Sequence, residues 1–441
     1  MKKLVLGCTL MVGLLFANQV TIYNGNFALV RTKLELDLQK GFQHYYFDEI
    51  PNSIEPNSVI IRALKGKFDL FSQNYEYDLA NSNKILEKYI GEEIEIISKT
   101  DEKFIGKLQF YDASTIGIIE NTTNKLILIN SSEIRSKNLA KLPDNFFLKP
   151  TLHWELETTK AGKYPLDFSY ICSGLKWDVT YNAVWNDKNL TVNSWVTITN
   201  NTGKSFENTK LKLIAGEVQK VSRNQRNNYY ESEDTMFLAS KGAAFEEKSF
   251  HDFHLYTLSE NVSINNKQVK QLRLFETTTI KAKAKYVYHT NSNKVESKIV
   301  FINSEKAGFG KALPKGVVKI YRQDDADNNL EFIGEDRINH TPKDEKVKLT
   351  TGYAFDLVGE TKVLSTRGIS KKVSEKEMLV ELKNRSEESK TILVTHQLYG
   401  EWQIFNENIS YRKIDAHKIE FEKTLKPNES FKITWTERRT N

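Results

Sequence analysis

Apolar and polar residues alternate with a period of two along most of this chain, a pattern that predicts β-strands. The clearest run covers residues 308–357, and its period of two sets Val317, Lys319 and Tyr321 against Val318, Ile320 and Arg322. Turn-forming residues divide the run into short segments at 314–316, 324–325 and 341–342. The run therefore predicts antiparallel sheet.

Similar alternation covers most of the 441 residues, so we predict a mainly β protein made of tandem β-sandwich-like domains. A small SH3-like or Sm-like barrel is predicted as an insertion near the N-terminus. The predicted divisions are a signal peptide (1–17), an N-terminal β region (18–78), a short helix with the small barrel (79–140), a β-sheet domain (141–221), a polar linker or excursion (222–249) and a C-terminal β-sandwich region (250–441).

The helix prediction rests on residues 78–89, where Ile85, Leu86 and Tyr89 fall on one face and Asn81 or Ser82 serves as the N-cap. Residues 91–136 then give about five short strands separated by turns, the spacing of a small barrel. Sm proteins bind RNA, but this segment opens with acidic residues and has no platform of aromatic and basic side chains. RNA binding is therefore not expected.

Several long motifs carry a family resemblance. They are GFGKALPKGVVKIY (308–321), GEDRINHTPKDE (334–345), GYAFDL (352–357), LKWDVTY (175–181), WVTITNNTG (195–203) and LKLIAGE (211–217). These motifs resemble the bacterial family known as domain of unknown function 4139, which is related to the mucoidy-inhibitor-like proteins. The resemblance implies an envelope-associated, β-rich protein. It brings no established reaction and no accepted catalytic residues.

The first residues have the pattern of a secretory signal. Lys2 and Lys3 precede an apolar run over 4–16, which ends at Ala17. We therefore expect export to the periplasm or another extracytoplasmic part of the envelope, with cleavage near Ala17; an uncleaved N-terminal anchor is the alternative. No later apolar stretch approaches 18 residues, so no transmembrane span is expected after signal removal.

The charge and the cysteine content further limit the partners and the chemistry that this protein can have. Loss of Lys2 and Lys3 would lower the formal net charge from +6 to +4, and the 27% charged residues are of both signs. Such a composition is typical of a solvated surface on which both charges are mixed, and no nucleic-acid partner is predicted. Only Cys172 would remain, which excludes an intramolecular disulfide and favours a small core residue over a nucleophile.

Four of the six tryptophans, Trp154, Trp177, Trp185 and Trp195, lie in the strand-rich segment 151–218. Two interpretations are open: large rings that fill a sandwich core, or a platform on which sugars stack. The alternation of Trp177 and Trp195 in phase with apolar neighbours favours the core.

No catalytic, cofactor-binding or metal-binding residues are assigned from the sequence, and no cofactor is expected. Glu335, Asp336, His340 and Glu345 are surface candidates that could bind Ca²⁺ or do acid–base work, and a solvated hairpin is the favoured alternative. The histidines of H-D-F-H (251–254) should point to opposite faces of a strand, and the other histidines lack metal spacing.

Asn189 lies in D-K-N-L-T, which fits the stricter acidic sequon of those bacteria that glycosylate exported proteins. Together these patterns predict an exported cell-envelope protein that is non-enzymatic and works by interaction or as a structural component, with an unidentified envelope protein as partner. The alternative is a carbohydrate-binding or carbohydrate-active envelope protein, for which the partner would be a glycan.

Overall fold

The computed structural model describes residues 19–77, 82–140, 147–220 and 245–440, so the predicted signal peptide lies outside the described residues. The described chain is almost entirely β-strand arranged in several sheets, which confirms the predicted mainly β, multi-domain class. No helix within these four ranges is long and apolar enough to cross a membrane.

The first half of the chain supplies two groups of elements. The N-terminal strands are β1 (Gln19–Tyr23), β2 (Phe27–Leu38), β3 (Gly41–Phe47), β4 (Ile60–Ala63) and β5 (Phe68–Glu76). They are followed by the helix α1 (Ser82–Lys88) and by β6 (Glu93–Ser98), β7 (Lys103–Tyr111), β8 (Thr115–Glu120), β9 (Leu126–Asn130) and β10 (Ile134–Leu139).

The remaining strands form the larger sheets. Those up to the long loop are β11 (Thr151–Thr158), β12 (Gly162–Ser173), β13 (Leu175–Trp185), β14 (Asn189–Asn200) and β15 (Phe206–Ala215). Those after it are β16 (Phe245–Phe250), β17 (Phe253–Leu258), β18 (Val262–Ile264), β19 (Gln268–His289), β20 (Val295–Ile302), β21 (Gly316–Gln323), β22 (Leu330–Ile338) and β23 (Lys346–Tyr353). The last are β24 (Leu357–Gly368), β25 (Val373–Asn384), β26 (Lys390–Gln397), β27 (Glu401–Phe405), β28 (Tyr411–Asp415), β29 (Lys418–Leu425) and β30 (Ser430–Thr440).

The small unit near the N-terminus is one antiparallel sheet in the order β10-β6-β7-β8-β9. Its edge strands β9 and β10 do not pair with each other, so the sheet is open and the predicted closed barrel is corrected. The predicted helix is confirmed as α1. Leu86 of this helix and Tyr89, the residue just after its end, are buried against Ile94 and Ile118 of the sheet. An amphipathic helix covering one sheet face gives this unit a core of its own.

The main hydrophobic core lies between three further sheets. One has eight strands, in the order β16-β17-β15-β1-β2-β12-β4 with β18 beside β15, and one has ten, in the order β22-β21-β13-β14-β19-β26-β29-β28 with β20 joining β19 to β23. The third is the short sheet β3-β11-β5. Hydrogen bonds of β13 with β21 and of β14 with β19 cross the boundary expected between 141–221 and 250–441.

The clustered tryptophans belong mainly to this core. Trp154, Trp177 and Trp185 are buried, and Trp195 is half-buried on the other face of β14. Each ring falls at a position fixed by strand alternation, with Trp154 stacked between Tyr45 and aromatic neighbours from adjacent strands. The core interpretation therefore fits three of the four residues.

A second sandwich, which we call the C-terminal sandwich, packs the four-stranded sheet β24-β25-β30-β27 against β26, β28 and β29 of the ten-stranded sheet. Its separate core includes Tyr288, Phe421 and Trp435, all buried. Strand β19 runs through both sandwiches for 22 residues, pairing with β14 along its first part and with β26 near its end.

The two sandwiches share a local motif built on a buried asparagine. Asn200 and Asn384 each end a strand, are fully buried, and use Nδ2 to donate to three backbone carbonyls. The acceptors are Lys204, Ile264 and Asn265 in the first case and Glu388, Leu425 and Lys426 in the second. In both, the Oδ1 atom accepts from the hydroxyl two residues later. The two sandwiches therefore use the same hydrogen-bond pattern around the end of one strand.

Candidate functional site

The candidate site lies on the outer face of the short sheet β3-β11-β5. Alternation along β11 turns Leu152, Trp154 and Leu156 into the main core and His153 and Glu155 outward. Alternation along β3 brings further side chains to this outer face. On β5, a register shift in the pairing with β11 leaves Phe71 as an extra residue, so that both Phe71 and Ser72 reach this face. We call the result the histidine–aromatic face: Phe42, His44, Tyr46, Phe71, Ser72, Phe147, His153 and Glu155.

Three polar side chains converge at the middle of this face. His44 Nδ1 lies 2.9 Å from His153 Nε2, a hydrogen bond in which one imidazole donates and the other accepts. His44 Nδ1 is also 3.9 Å from Glu155 Oε1. The other carboxylate oxygen of Glu155 accepts a hydrogen bond of 2.8 Å from the hydroxyl of Ser72. One oxygen of Glu155 is thus held by a neighbour, and the other faces the imidazole pair.

Aromatic rings surround the two histidines and fix their orientation. The ring of Tyr46 stacks on His153 with centroids 4.4 Å apart, and the edge of Phe42 meets His44 at 5.4 Å. Phe71 lies 6.0 Å from Phe42, and Phe147 lies 5.9 Å from Tyr46. Because these contacts leave Phe42 56%, Tyr46 50% and Phe71 60% exposed, they form an apolar strip in contact with water.

The donor set of this face suits a metal cation. The ligand atoms of His44, His153 and Glu155 all lie within 4.8 Å of one another, and this is the one such group of three found in the described residues. Two imidazole nitrogens and a carboxylate oxygen match the preferences of zinc and related divalent transition metals. Chemically, the face can therefore offer both an apolar contact surface and a three-ligand cation site.

Sequence reasoning missed this site because His44 and His153 are 109 residues apart. The alternation in 42–46 and in 153–157 did show which residues share a strand face. Strand β3 pairs with β11 so that His44 lies opposite Glu155 and Tyr46 opposite His153, a register that sequence spacing does not contain.

The four surface candidates in and after β22 do not form a cation site among the described residues. Glu335 and Glu345 are exposed. Asp336 instead serves the backbone: its carboxylate accepts from the amide of Arg337 at 2.8 Å and from that of Thr350 at 2.7 Å. The hairpin predicted across residues 339–342 is corrected, because β22 pairs with β21 and β23 pairs with β20, and the four groups are not brought together.

His340, the fourth of these candidates, is half-buried and accepts a hydrogen bond of 3.2 Å at Nδ1 from the amide of Lys315. Burial lowers its pKa, and the charge of Lys315 lowers it further. In the same part of the fold, His251 occupies the turn before β17 rather than a strand, beside Asp252, while His254 is paired with Glu247. The H-D-F-H histidines therefore bind different partners.

A second polar cluster is buried inside the C-terminal sandwich. His396 of β26 contacts Glu437 of β30 at 2.7 Å through Nε2 and Thr290 at 2.7 Å through Nδ1. Arg439 adds an ion pair of 2.9 Å to the second oxygen of Glu437. Burial raises the pKa of Glu437, but the hydrogen bond and charge of His396, with Arg439, outweigh it and leave that pKa below its ordinary value. The cluster lines a cavity of about 470 Å³.

Cys172 and Asn189 lie on neighbouring parts of the chain, in strands β12 and β14. Cys172 is buried on β12, and burial raises the pKa of its thiol to about 12, so it stays protonated. Asn189 is the half-buried first residue of β14, and its backbone amide donates to the side chain of Asn186 in the preceding turn at 2.7 Å.

No protein-family model matches this chain, and no curated protein matches it. The likeness of 308–321, 334–345 and 352–357 to the family named above therefore stays an expectation from those motifs.

Proposed function

We propose that this protein is an exported component of the bacterial cell envelope that acts by binding another envelope protein through the histidine–aromatic face. Export is supported by the signal-like pattern of residues 1–17. The partner is a protein rather than a nucleic acid, since charges of both signs are mixed over the chain.

The observation that carries the proposal is the exposed strip of Phe42, Tyr46 and Phe71. Large aromatic side chains are enriched at protein interfaces, where their burial supplies much of the binding free energy. An exposed apolar cluster of this kind on one sheet face is typical of an interaction site.

Site-specific photocrosslinking in intact cells tests the proposal. A benzophenone amino acid in place of Phe71 should give one dominant crosslinked partner. Phe42→Ser or Tyr46→Ser in the same chain should remove that crosslink, because each change takes an anchor from the strip. Phe332 on β22 is a matched control, since it is 54% exposed on a different sheet.

Two results would contradict the proposal. One is a crosslink that survives both serine variants or is formed equally well from position 332. The other is fractionation of the native chain to the cell interior, with an intact mass that retains residues 1–17.

The alternative of a carbohydrate-binding or carbohydrate-active protein has less support than the proposed protein interaction. It depended on tryptophans free to stack on sugars, and Trp154, Trp177 and Trp185 are buried. Trp195 and Trp402 are half-buried.

A catalytic role is the second candidate, and the chain Thr290–His396–Glu437 is what favours it. A hydroxyl, an imidazole and a carboxylate in series can transfer a proton from the hydroxyl, as in acyl-transfer enzymes. Here the hydroxyl contacts Nδ1 and the carboxylate Nε2, the reverse of the serine-protease arrangement. Hydrolysis of a peptide or ester substrate by the wild type that is lost in Thr290→Val would establish this role.

A further inference from the structure

We propose that His44, His153 and Glu155 bind one divalent transition-metal ion of the zinc class. This site goes beyond the proposed interaction surface, because it assigns a specific ligand to three residues at the centre of that surface. Calcium and magnesium are disfavoured, since both prefer oxygen ligands and two of these three donors are imidazole nitrogens.

The distances are close to those that zinc requires. In a tetrahedral site with metal–nitrogen bonds of 2.0–2.1 Å, ligand atoms lie about 3.3 Å apart. His44 Nδ1 and His153 Nε2 are 2.9 Å apart, and His44 Nδ1 and Glu155 Oε1 are 3.9 Å apart. Binding would therefore open the first pair and close the second by roughly half an ångström each, within the range of small side-chain rotations.

The surroundings hold the ligands in place. Ser72 donates to Oε2 of Glu155, which leaves Oε1 free to bind the ion. The ring contacts of Tyr46 and Phe42 fix the planes of His153 and His44. Such outer contacts commonly orient metal ligands, and their loss weakens metal binding.

The fourth coordination position faces outward. The side chain of His44 is half exposed, and those of His153 and Glu155 are partly exposed on the same sheet face. A zinc ion with three protein ligands keeps a position open for water or another donor. A donor from the partner proposed above could occupy it, and that last step rests on the proposed function.

Calorimetric titration of the purified full chain with ZnCl₂ tests the site directly. We expect one equivalent to bind, and His44→Ala, His153→Ala or Glu155→Gln each to weaken binding by at least about tenfold. That lower bound follows because even outer contacts cost about 10- to 100-fold, a range expected for Ser72→Ala. His251→Ala is the matched control, since His251 is an exposed histidine beside a carboxylate but without a second imidazole.

Cobalt substitution gives a second readout that does not depend on partner binding. Co²⁺ at the site should show the visible absorption of a low-coordinate ion with nitrogen and oxygen ligands, and His153→Ala should abolish it. Circular dichroism of each variant checks that the sheets remain folded.

The proposal is overturned if the wild type binds no zinc, if the ligand variants bind as tightly as the wild type, or if His251→Ala loses as much affinity as they do. Failure here leaves the photocrosslinking test intact, because that test depends on Phe42, Tyr46 and Phe71. Success here with no crosslinked partner would retain the metal site and remove the interaction surface.

Discussion

Glu437 is 1% exposed between the two sheets of the C-terminal sandwich, and its replacement by glutamine is expected to loosen that sandwich. Its carboxylate joins His396 of β26 to Arg439 of β30, so the contacts connect a strand of the ten-stranded sheet with one of the four-stranded sheet. Glu437→Gln keeps the size of the side chain and removes only the charge and one acceptor.

The expected cost follows from the bonds that are lost. Hydrogen bonds to a charged group contribute about 1.5–3 kcal/mol each, and breaking a buried ion pair typically costs about 3–5 kcal/mol. Glutamine retains one acceptor oxygen, so part of one contact survives, while its amide group cannot accept from the second partner. We therefore expect a loss of about 3 kcal/mol in the local free energy of unfolding.

Hydrogen exchange of β26 and β30, followed by mass spectrometry, is the appropriate assay. The described chain has three separate hydrophobic cores, so a single global unfolding transition is not expected. Exchange reports the opening free energy of each segment separately. The expected 3 kcal/mol corresponds to about a 150-fold rise in the exchange rate of protected β30 amides.

Glu375→Gln is the matched control. Glu375 of β25 pairs with Arg438 of β30, the residue next to Glu437. That pair lies on the more exposed face of the four-stranded sheet. A surface ion pair contributes about 0–1 kcal/mol. If Glu437→Gln accelerates exchange of β30 no more than Glu375→Gln does, the two-sheet ion cluster does not stabilise the sandwich as argued.

Four further predictions follow from single residues. Because the pKa of Glu437 is lowered from 4.5, its contribution to stability is present above pH 4.5 and is lost as pH falls through the lower folded value. The protection of β30 amides, measured relative to their intrinsic exchange rate at each pH, should therefore fall in acid, and fall less in Glu437→Gln. Gly106→Ala should destabilise the small sheet in thermal scans by about 1–3 kcal/mol, because the added Cβ would lie 2.2 Å from a backbone oxygen of β8. Gly368→Ala is the control and should be neutral, because nothing lies within 4 Å of its added Cβ. The thiol of Cys172 should resist iodoacetamide in the native protein and react once guanidinium unfolds it, so rapid native labelling would refute its burial. An intact mass of the native protein should show a glycan adduct that Asn189→Gln removes, and an unmodified mass would end that hypothesis.

The sequence pattern predicted the elements better than their assembly. Alternation placed Trp177 in a core and Ile85, Leu86 and Tyr89 on one helix face, because these positions depend only on neighbouring residues. The same argument assigned Trp195 to the core, but Trp195 is half-buried on the other face of β14. The small sheet was expected to close, yet β9 and β10 do not pair with each other, since closure depends on strand tilt and curvature that alternation does not encode.

Strand order and register could not be predicted from the sequence, because they depend on pairing between strands far apart in the chain. The parallel pairs β1–β15 and β19–β26 join strands far apart in the chain, and β3–β11 brings His44 beside His153. Each register is set by the packing of whole sheets, so no spacing rule relates the partners. By contrast, the candidates between 335 and 345 are close in sequence and yet are not brought together as ligands, because strand and turn geometry separate them.

The continuity of β19 has a mechanical consequence. At about 3.3 Å per residue, its 22 residues extend roughly 70 Å, and hydrogen bonds tie it to the first sandwich along one part and to the second along another. A pull between the two sandwiches would load those bonds in shear, in which many must break at once. The continuous strand should therefore make the two sandwiches resist separation along its own direction.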